Sequence, residues 1–340
     1  MNLIKGKESV AFQTARAVKY IIQNCTKQRG MWREEIQHYV ASDYSTNAPH
    51  ATNSEKEVVF MIDGKMQHGG LADRLRGIVS VYSICKTMGL KFKLHFVSPF
   101  SLEEFLEPNE VDWRIKESEI CYNSDDSFAI FCGTNYPLVD RPFQRKWFVD
   151  NFKKDVKQIH VYTNAILIKG EKFKEHFLEL FKMTPALEQA IDKAQKEIGQ
   201  KYIAIAARFI QLLGDFKEEH YEVLNESDRL ALMQAAAAEI EKVHQRYGGA
   251  ILLTSDSVSF LHYMKKQKSY VHIIEGNVVH MDYSAGPALD LHLKTFTDIM
   301  MLSRAEKIFL LKSPQMYNSG FPRMASMIGN KPFELIRFMY

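Results

Sequence analysis

Cysteine is scarce in this chain, with four among 340 residues. Cys25, Cys85, Cys121 and Cys132 lie far apart, each in or beside an apolar run, without the paired spacing of a metal site or the density of a disulfide scaffold. That usage fits a reducing compartment. Long apolar runs are missing as well. No segment is continuous enough to span a bilayer, and Met1 to Asn24 mixes polar and apolar residues where a signal peptide needs an unbroken block. A cytoplasmic location is expected, with peripheral association at the inner membrane face left open. An excess of one charge is also absent. Lys and Arg total 44 against 41 Asp and Glu, a net charge of +3, which is too mild for a nucleic-acid-binding surface. No Asp-x-Asp triplet occurs, so the chain lacks a compact acidic pair of the kind that seats a divalent ion, and no metal is expected.

What is present suits a large globular protein. Hydrophobic residues make up 46% and charged residues 25%, enough to build substantial cores and too apolar for disorder. The length exceeds what one core usually serves, so two domains are expected, residues 1–185 and 186–340. The most pointed local signal is His68-Gly69-Gly70-Leu71-Ala72-Asp73-Arg74-Leu75-Arg76-Gly77. It follows a strand-like run, Val58 to Ile62, and opens a helix-like one, Ile78 to Met88. Gly69 and Gly70 would let backbone approach a ligand, and free amides at a helix start favour anionic or hydroxyl-rich groups. Plain turn geometry accounts for the same glycines.

Periodicity predicts helices within the first fifty residues, a polar linker from Ser45 to Glu57, and a second strand from Phe92 to Val97 that completes a right-handed βαβ unit. Short apolar runs follow at Phe128 to Cys132 and Ile159 to Tyr162, with an aromatic, basic loop from Arg141 to Phe148. From Pro185 the alternation is plain. Helices are expected at Ala186–Ile198, Ser227–Tyr247, Val258–Lys266, Thr297–Ala305 and Phe321–Gly329. Strands are expected at Tyr202–Ala207, Ala250–Thr254, Tyr270–Ile274 and Lys307–Leu311. This is the pattern of a doubly wound parallel sheet, in which ligands bind at the carboxyl ends of the strands.

Three polar groups follow strands at that edge. Arg208 suits phosphate oxygens, because its guanidinium makes paired charged hydrogen bonds. Asp256 can accept from ribose hydroxyls or a base N–H. Ser319 and Gly320 precede a helix whose amides can hold a phosphate. Each has a plainer reading: an internal ion pair for Arg208, and helix caps for Asp256 and Ser319.

Taken in order, Gly70 to Gly77, Ala207-Arg208-Phe209, Ser255-Asp256, Phe296 to Ala305 and Asn318-Ser319-Gly320-Phe321 to Ala325 resemble the motifs of GT-B fucosyltransferases of the nodulation and α1,6-type superfamily. The resemblance spans roughly residues 57–330. It implies an α/β fold of two Rossmann-like doubly wound domains facing a central cleft. It further implies an inverting, metal-independent transfer from GDP-fucose, with the nucleotide in the C-terminal domain and an oligosaccharide or lipid-linked glycan acceptor entering between domains. By that implication Arg208 contacts the β-phosphate, Asp256 the nucleoside, and Ser319, Gly320 and Phe321 the diphosphate region. The family often carries a histidine and a second arginine around Arg208, where this chain has Ala206, Ala207 and Phe209.

An inverting transfer needs a group to take the acceptor proton or a leaving group stabilised well enough to need no strong base. Asp215, in Leu213-Gly214-Asp215-Phe216, and Asp73, in the glycine turn, are the carboxylate candidates, although a Gly-Asp pair more often makes a solvated turn residue of Asp215. His68 and His280 rank behind them, and His280 with Asp282 reads equally as a loop cap. Another nucleotide-sugar donor, or a non-catalytic nucleotide- or glycan-binding module, fits the same residues. The sequence does not fix the oligomeric state.

Overall fold

The computed structural model describes residues 40–66, 68–132, 140–215, 223–276, 278 and 288–340. The helices expected before residue 40, together with Cys25, His280 and Asp282, lie outside these residues. The first half runs β1 (Glu57–Ile62), α1 (Leu71–Met88), β2 (Lys91–Phe96), β3 (Leu106–Pro108), β4 (Ser127–Cys132), α2 (Asp140–Phe152), β5 (Gln158–Thr163), α3 (Glu171–Leu180) and β6 (Phe181–Met183). The second runs α4 (Pro185–Ile198), β7 (Tyr202–Ala207), α5 (Glu226–Tyr247), β8 (Ala250–Ser255), α6 (Val258–Gln267), β9 (Val271–His272), α7 (Ala288–Arg304), β10 (Ile308–Lys312), α8 (Phe321–Gly329) and β11 (Phe333–Arg337).

Two parallel sheets organise these elements. The first has the order β2-β1-β5-β4 and the second β11-β10-β7-β8-β9, while β3 and β6 pair as a small antiparallel ribbon. All six residues of β1 are buried, as in a strand covered on both faces. Val58, Phe60 and Ile62 pack toward α1, whereas Val59 and Met61 join Val40, Ile120, Phe131 and Tyr162 on the opposite face. Gly77 lets α1 lie close to the sheet. A Cβ there would stand 2.3 Å from the Thr163 carbonyl oxygen and 2.8 Å from the Phe60 ring.

In the second sheet, α5 and α6 cover one face and α4, α7 and α8 the other. The core on the α7 side continues without a break into the core of the first sheet. Its bridge is aromatic: Phe105 stacks on Phe296 of α7 at 4.1 Å and 5°, and Phe100 lies 4.5 Å from the ring of His292.

Several expectations shift. The segment 141–148 is part of α2 rather than a loop, since Pro142 is tolerated in a first turn whose N–H groups have no partners, and Phe148 and Phe152 then bury on one face. Part of the supposed linker is tied down, because Asn123 Nδ2 donates to the carbonyls of Thr46 and Ala48 and Ser45 bridges to Asn123. The helix after β1 begins at Leu71, which places Asp73, Arg74 and Arg76 inside it. β9 is shorter and α7 longer than periodicity suggests, since α7 is apolar well before Thr297.

Candidate active site

The chain leaves β7 for β8 and β9 in one direction, then returns to place β10 and β11 on the other side. The carboxyl ends of β7 and β10 therefore lie at the switch point of the sheet, the place where doubly wound sheets form a crevice for ligands. Arg208 is the first residue beyond β7. Ala207 pairs with Leu311 of β10 and Ser255 of β8, so the next row across the sheet runs Asp256, Arg208, Lys312 and, through β11, Arg337. Arg208 remains 27% exposed, with Nε 3.8 Å from Asp256 Oδ2. The Tyr317 ring lies 5.8 Å from its guanidinium, and the Tyr317 N–H donates to its carbonyl oxygen at 3.1 Å. The ion-pair reading of Arg208 is thus met at long range, with part of the guanidinium open to solvent.

Asp256 has a task that the sequence did not reveal. Its Oδ1 accepts the Phe209 N–H at 2.8 Å and its Oδ2 the Ile210 N–H at 2.7 Å. Ile210 sits at φ +58°, a left-handed conformation that costs a β-branched residue roughly 1–3 kcal/mol. Asp256 pins that bend and so shapes the loop carrying Arg208. With 3% of its side chain exposed, it faces the loop. Burial pushes its carboxyl up to about 6, against the opposing pull of Arg208 and the two amides. Nor does Asp256 cap α6; Ser257 does, accepting the Phe260 N–H at 3.1 Å.

Asp215 is also engaged. Its Oδ2 accepts from the Ser257 hydroxyl at 2.9 Å and the Ser259 N–H at 2.6 Å, which fixes it on the first turn of α6. There it complements the positive end of the helix dipole. The carboxylate expected as a base is a helix anchor.

Across the crevice, Gly320 is the N-cap of α8. Ser319 Oγ accepts the Phe321 N–H at 3.2 Å, and Pro322 has no N–H, so the helix presents fewer amides than the motif suggests. Two buried polar atoms nearby in sequence lack a hydrogen-bond partner: Ser313 Oγ just beyond β10, and Asp298 Oδ1 on α7. The other Asp298 oxygen accepts from Lys294 Nζ at 2.6 Å, a buried pair whose carboxyl is raised by desolvation despite the lysine. Their sequence signal is a Lys and an Asp four apart on an otherwise apolar helix face.

In the first sheet the corresponding switch point lies between β1 and β5. Gly69 is held at φ +78°, the left-handed region that favours glycine, and the Asp73 carboxylate lies 2.7 Å from where a Cβ would stand. Gly70 is different; its backbone is extended at φ −69° and open space surrounds its missing Cβ. Asp73 pairs with Arg76 at 2.5 Å. Arg74 points inward, donating from Nε to the Gly69 carbonyl at 2.9 Å and from Nη1 to the Ser98 carbonyl at 2.7 Å. These bonds pin the turn. His68 is buried, and desolvation, with Arg74 beside it, pushes it down to about 3, so it stays neutral and out of reach as a base. Asp63, unnoticed in the sequence, follows β1 directly and accepts from the Tyr162 hydroxyl across that switch point at 2.7 Å. Among the described residues no three His, Cys, Asp or Glu side chains gather as a metal site.

No family model and no curated protein matches the chain. Solved structures do. NodZ α1,6-fucosyltransferase co-crystallised with GDP superimposes with a TM-score of 0.55 at 15% identity, over 81% of this chain and 93% of that one. Fucosyltransferase NodZ from Bradyrhizobium gives 0.53 at 15% identity, over 81% and 94%. A FUT1 variant of Arabidopsis thaliana in complex with GDP gives 0.51 at 12% identity, over 88% and 74%. The chain thus has the α/β fold, with two parallel sheets, of GT-B fucosyltransferases.

Proposed function

We propose that this chain is an inverting glycosyltransferase that moves fucose from GDP-fucose to a hydroxyl of a glycan acceptor. The observation that carries the reading is the crevice between β7 and β10, flanked by the part-exposed Arg208 on one side and the start of α8 on the other. A nucleoside diphosphate seated there meets a guanidinium and helix amides, the groups that stabilise charge developing on a departing diphosphate. In this reading residues 186–340 hold the donor and the preceding residues the acceptor, an oligosaccharide or lipid-linked glycan met in the cytoplasm or at the inner membrane face. The acceptor hydroxyl oxygen attacks the anomeric carbon as the bond to the diphosphate breaks, its proton passes to the departing diphosphate or to water, and configuration inverts.

With Asp215 anchoring α6 and His68 buried, leaving-group stabilisation carries most of the load. Asp73, 37% exposed on the rim of the glycine turn, is the carboxylate placed to orient the acceptor hydroxyl. The alanines before Arg208 and Phe209 after it favour one further reading, a donor with a different nucleoside or sugar. Calorimetric titration and product assay against a panel of nucleotide sugars separate the two. GDP-fucose binding with slow hydrolysis, and turnover that survives EDTA, supports the first; preference for another donor supports the second. Binding without turnover on any donor would leave a nucleotide-binding module.

A further inference from the structure

Between β10 and α8 the chain makes a short loop, residues 313–320. Met316 turns inward and joins Phe309 and Leu311 in the core of the second sheet. Its sulfur accepts the Ser313 N–H at 3.5 Å, and Lys312 Nζ donates to the Met316 and Ser313 carbonyls at 2.6 Å and 3.2 Å. Beyond Met316 the loop is tied again. The Tyr317 N–H donates to the Arg208 carbonyl at 3.1 Å, the Tyr317 carbonyl accepts the Ser319 N–H at 3.1 Å, and Arg323 Nη2 donates to Asn318 Oδ1 at 3.2 Å. The backbone on both sides of Tyr317 is therefore fixed, yet the residue stays 49% exposed.

An aromatic ring held out on a fixed backbone loses little further freedom when a flat group lies against it. Its neighbour indicates which kind of group. The Arg208 guanidinium stands 5.8 Å from the ring centroid, near the outer limit of a cation–π contact. Charge for a phosphate and a flat apolar face thus lie side by side at the switch point between β7 and β10. A nucleotide carries the matching pair, an anion and a planar base joined by a ribose. We propose that Tyr317 is the platform on which the donor's nucleobase stacks, an inference that rests on the donor reading of this crevice and adds the part that holds the base. Stacking asks only for a π-face and does not read the base's hydrogen-bonding edge. That suits a chain in which Ala206, Ala207 and Phe209 around Arg208 carry no hydrogen-bonding side chain.

Calorimetric titration with GDP, GDP-fucose and pyrophosphate tests it. Tyr317→Ala removes the ring and leaves the backbone bonds of the loop in place. It should weaken GDP and GDP-fucose alike by about tenfold, the worth of one base stacked on an aromatic ring, and leave pyrophosphate affinity within about twofold. Tyr317→Phe keeps the ring and should bind GDP within about twofold of the wild type. GDP affinity unchanged in Tyr317→Ala, an equal loss of GDP and pyrophosphate, or an equal loss in Tyr317→Phe overturns the platform and leaves the donor crevice standing. So does a loss seen with GDP-fucose and not with GDP, which would put the sugar on the ring. Failure of the wild type to bind GDP removes the donor reading and the platform together.

Discussion

At the scale of single residues, Arg208 and Asp256 divide the work of one loop. Arg208 offers charge to the crevice, and Asp256 holds the backbone that presents it. Arg208→Ala should therefore weaken GDP binding by about tenfold to a hundredfold, the worth of hydrogen bonds to a charged group. The melting temperature should move by no more than a few degrees, because a part-exposed guanidinium is not a core contact. Equal loss of fold and binding would show a structural ion pair instead. Asp256 has a pH signature. Its folded value of about 6 lies above the ordinary 3.8, so its protonated form favours the fold. That contribution is fully present below about pH 4 and is lost as pH rises through about 6, a change on the order of 3 kcal/mol. Asparagine does not titrate. The stability difference between wild type and Asp256→Asn, from urea unfolding across this range, should fall with rising pH; a flat difference would remove Asp256 as the cause.

At the scale of elements, loops are organised by helix starts. Asp215 binds the first turn of α6, so Asp215→Ala should cost about 1 kcal/mol of stability, the worth of a cap. It should leave kcat within about twofold, a margin far below the loss of a general base. A kcat loss of a hundredfold or more would restore it as the proton acceptor. Much of this layer was legible from sequence. Val58 to Ile62, Tyr202 to Ala207 and the strand around Leu310 announced themselves as short apolar runs between helical periods, and all lie in parallel sheets. The edge positions of Arg208 and Ser319 followed from that alternation. What periodicity could not convey was partnership. Nothing in Ser255-Asp256 says that the carboxylate turns back onto the amides of Phe209 and Ile210, and nothing in Leu213-Gly214-Asp215 says that the aspartate reaches Ser259. Those bonds join residues more than forty apart and exist only once β7 and β8 lie side by side. The helix at 140–152 was hidden for a local reason, its proline and basic residues, which resemble a loop in isolation.

At the scale of the molecule, the two sheets share one apolar core through α7. Phe296 is fully buried against Phe105 and Phe100, so Phe296→Ala should cost roughly 3–5 kcal/mol. Calorimetry of the wild type should show one transition, and the variant should lower its midpoint. Two transitions in the wild type would mean that the halves unfold independently despite the shared core. The same ring stack bears on how a ligand arrives. A hinge that swung the sheets apart would have to separate Phe105 from Phe296, exposing both rings to water, so the two halves should keep one relative placement before and after a ligand enters. Nucleotide capture then becomes a single encounter. In stopped-flow mixing the observed rate should climb linearly with nucleotide concentration, and a plateau would betray a slow closing step that the stacked rings forbid.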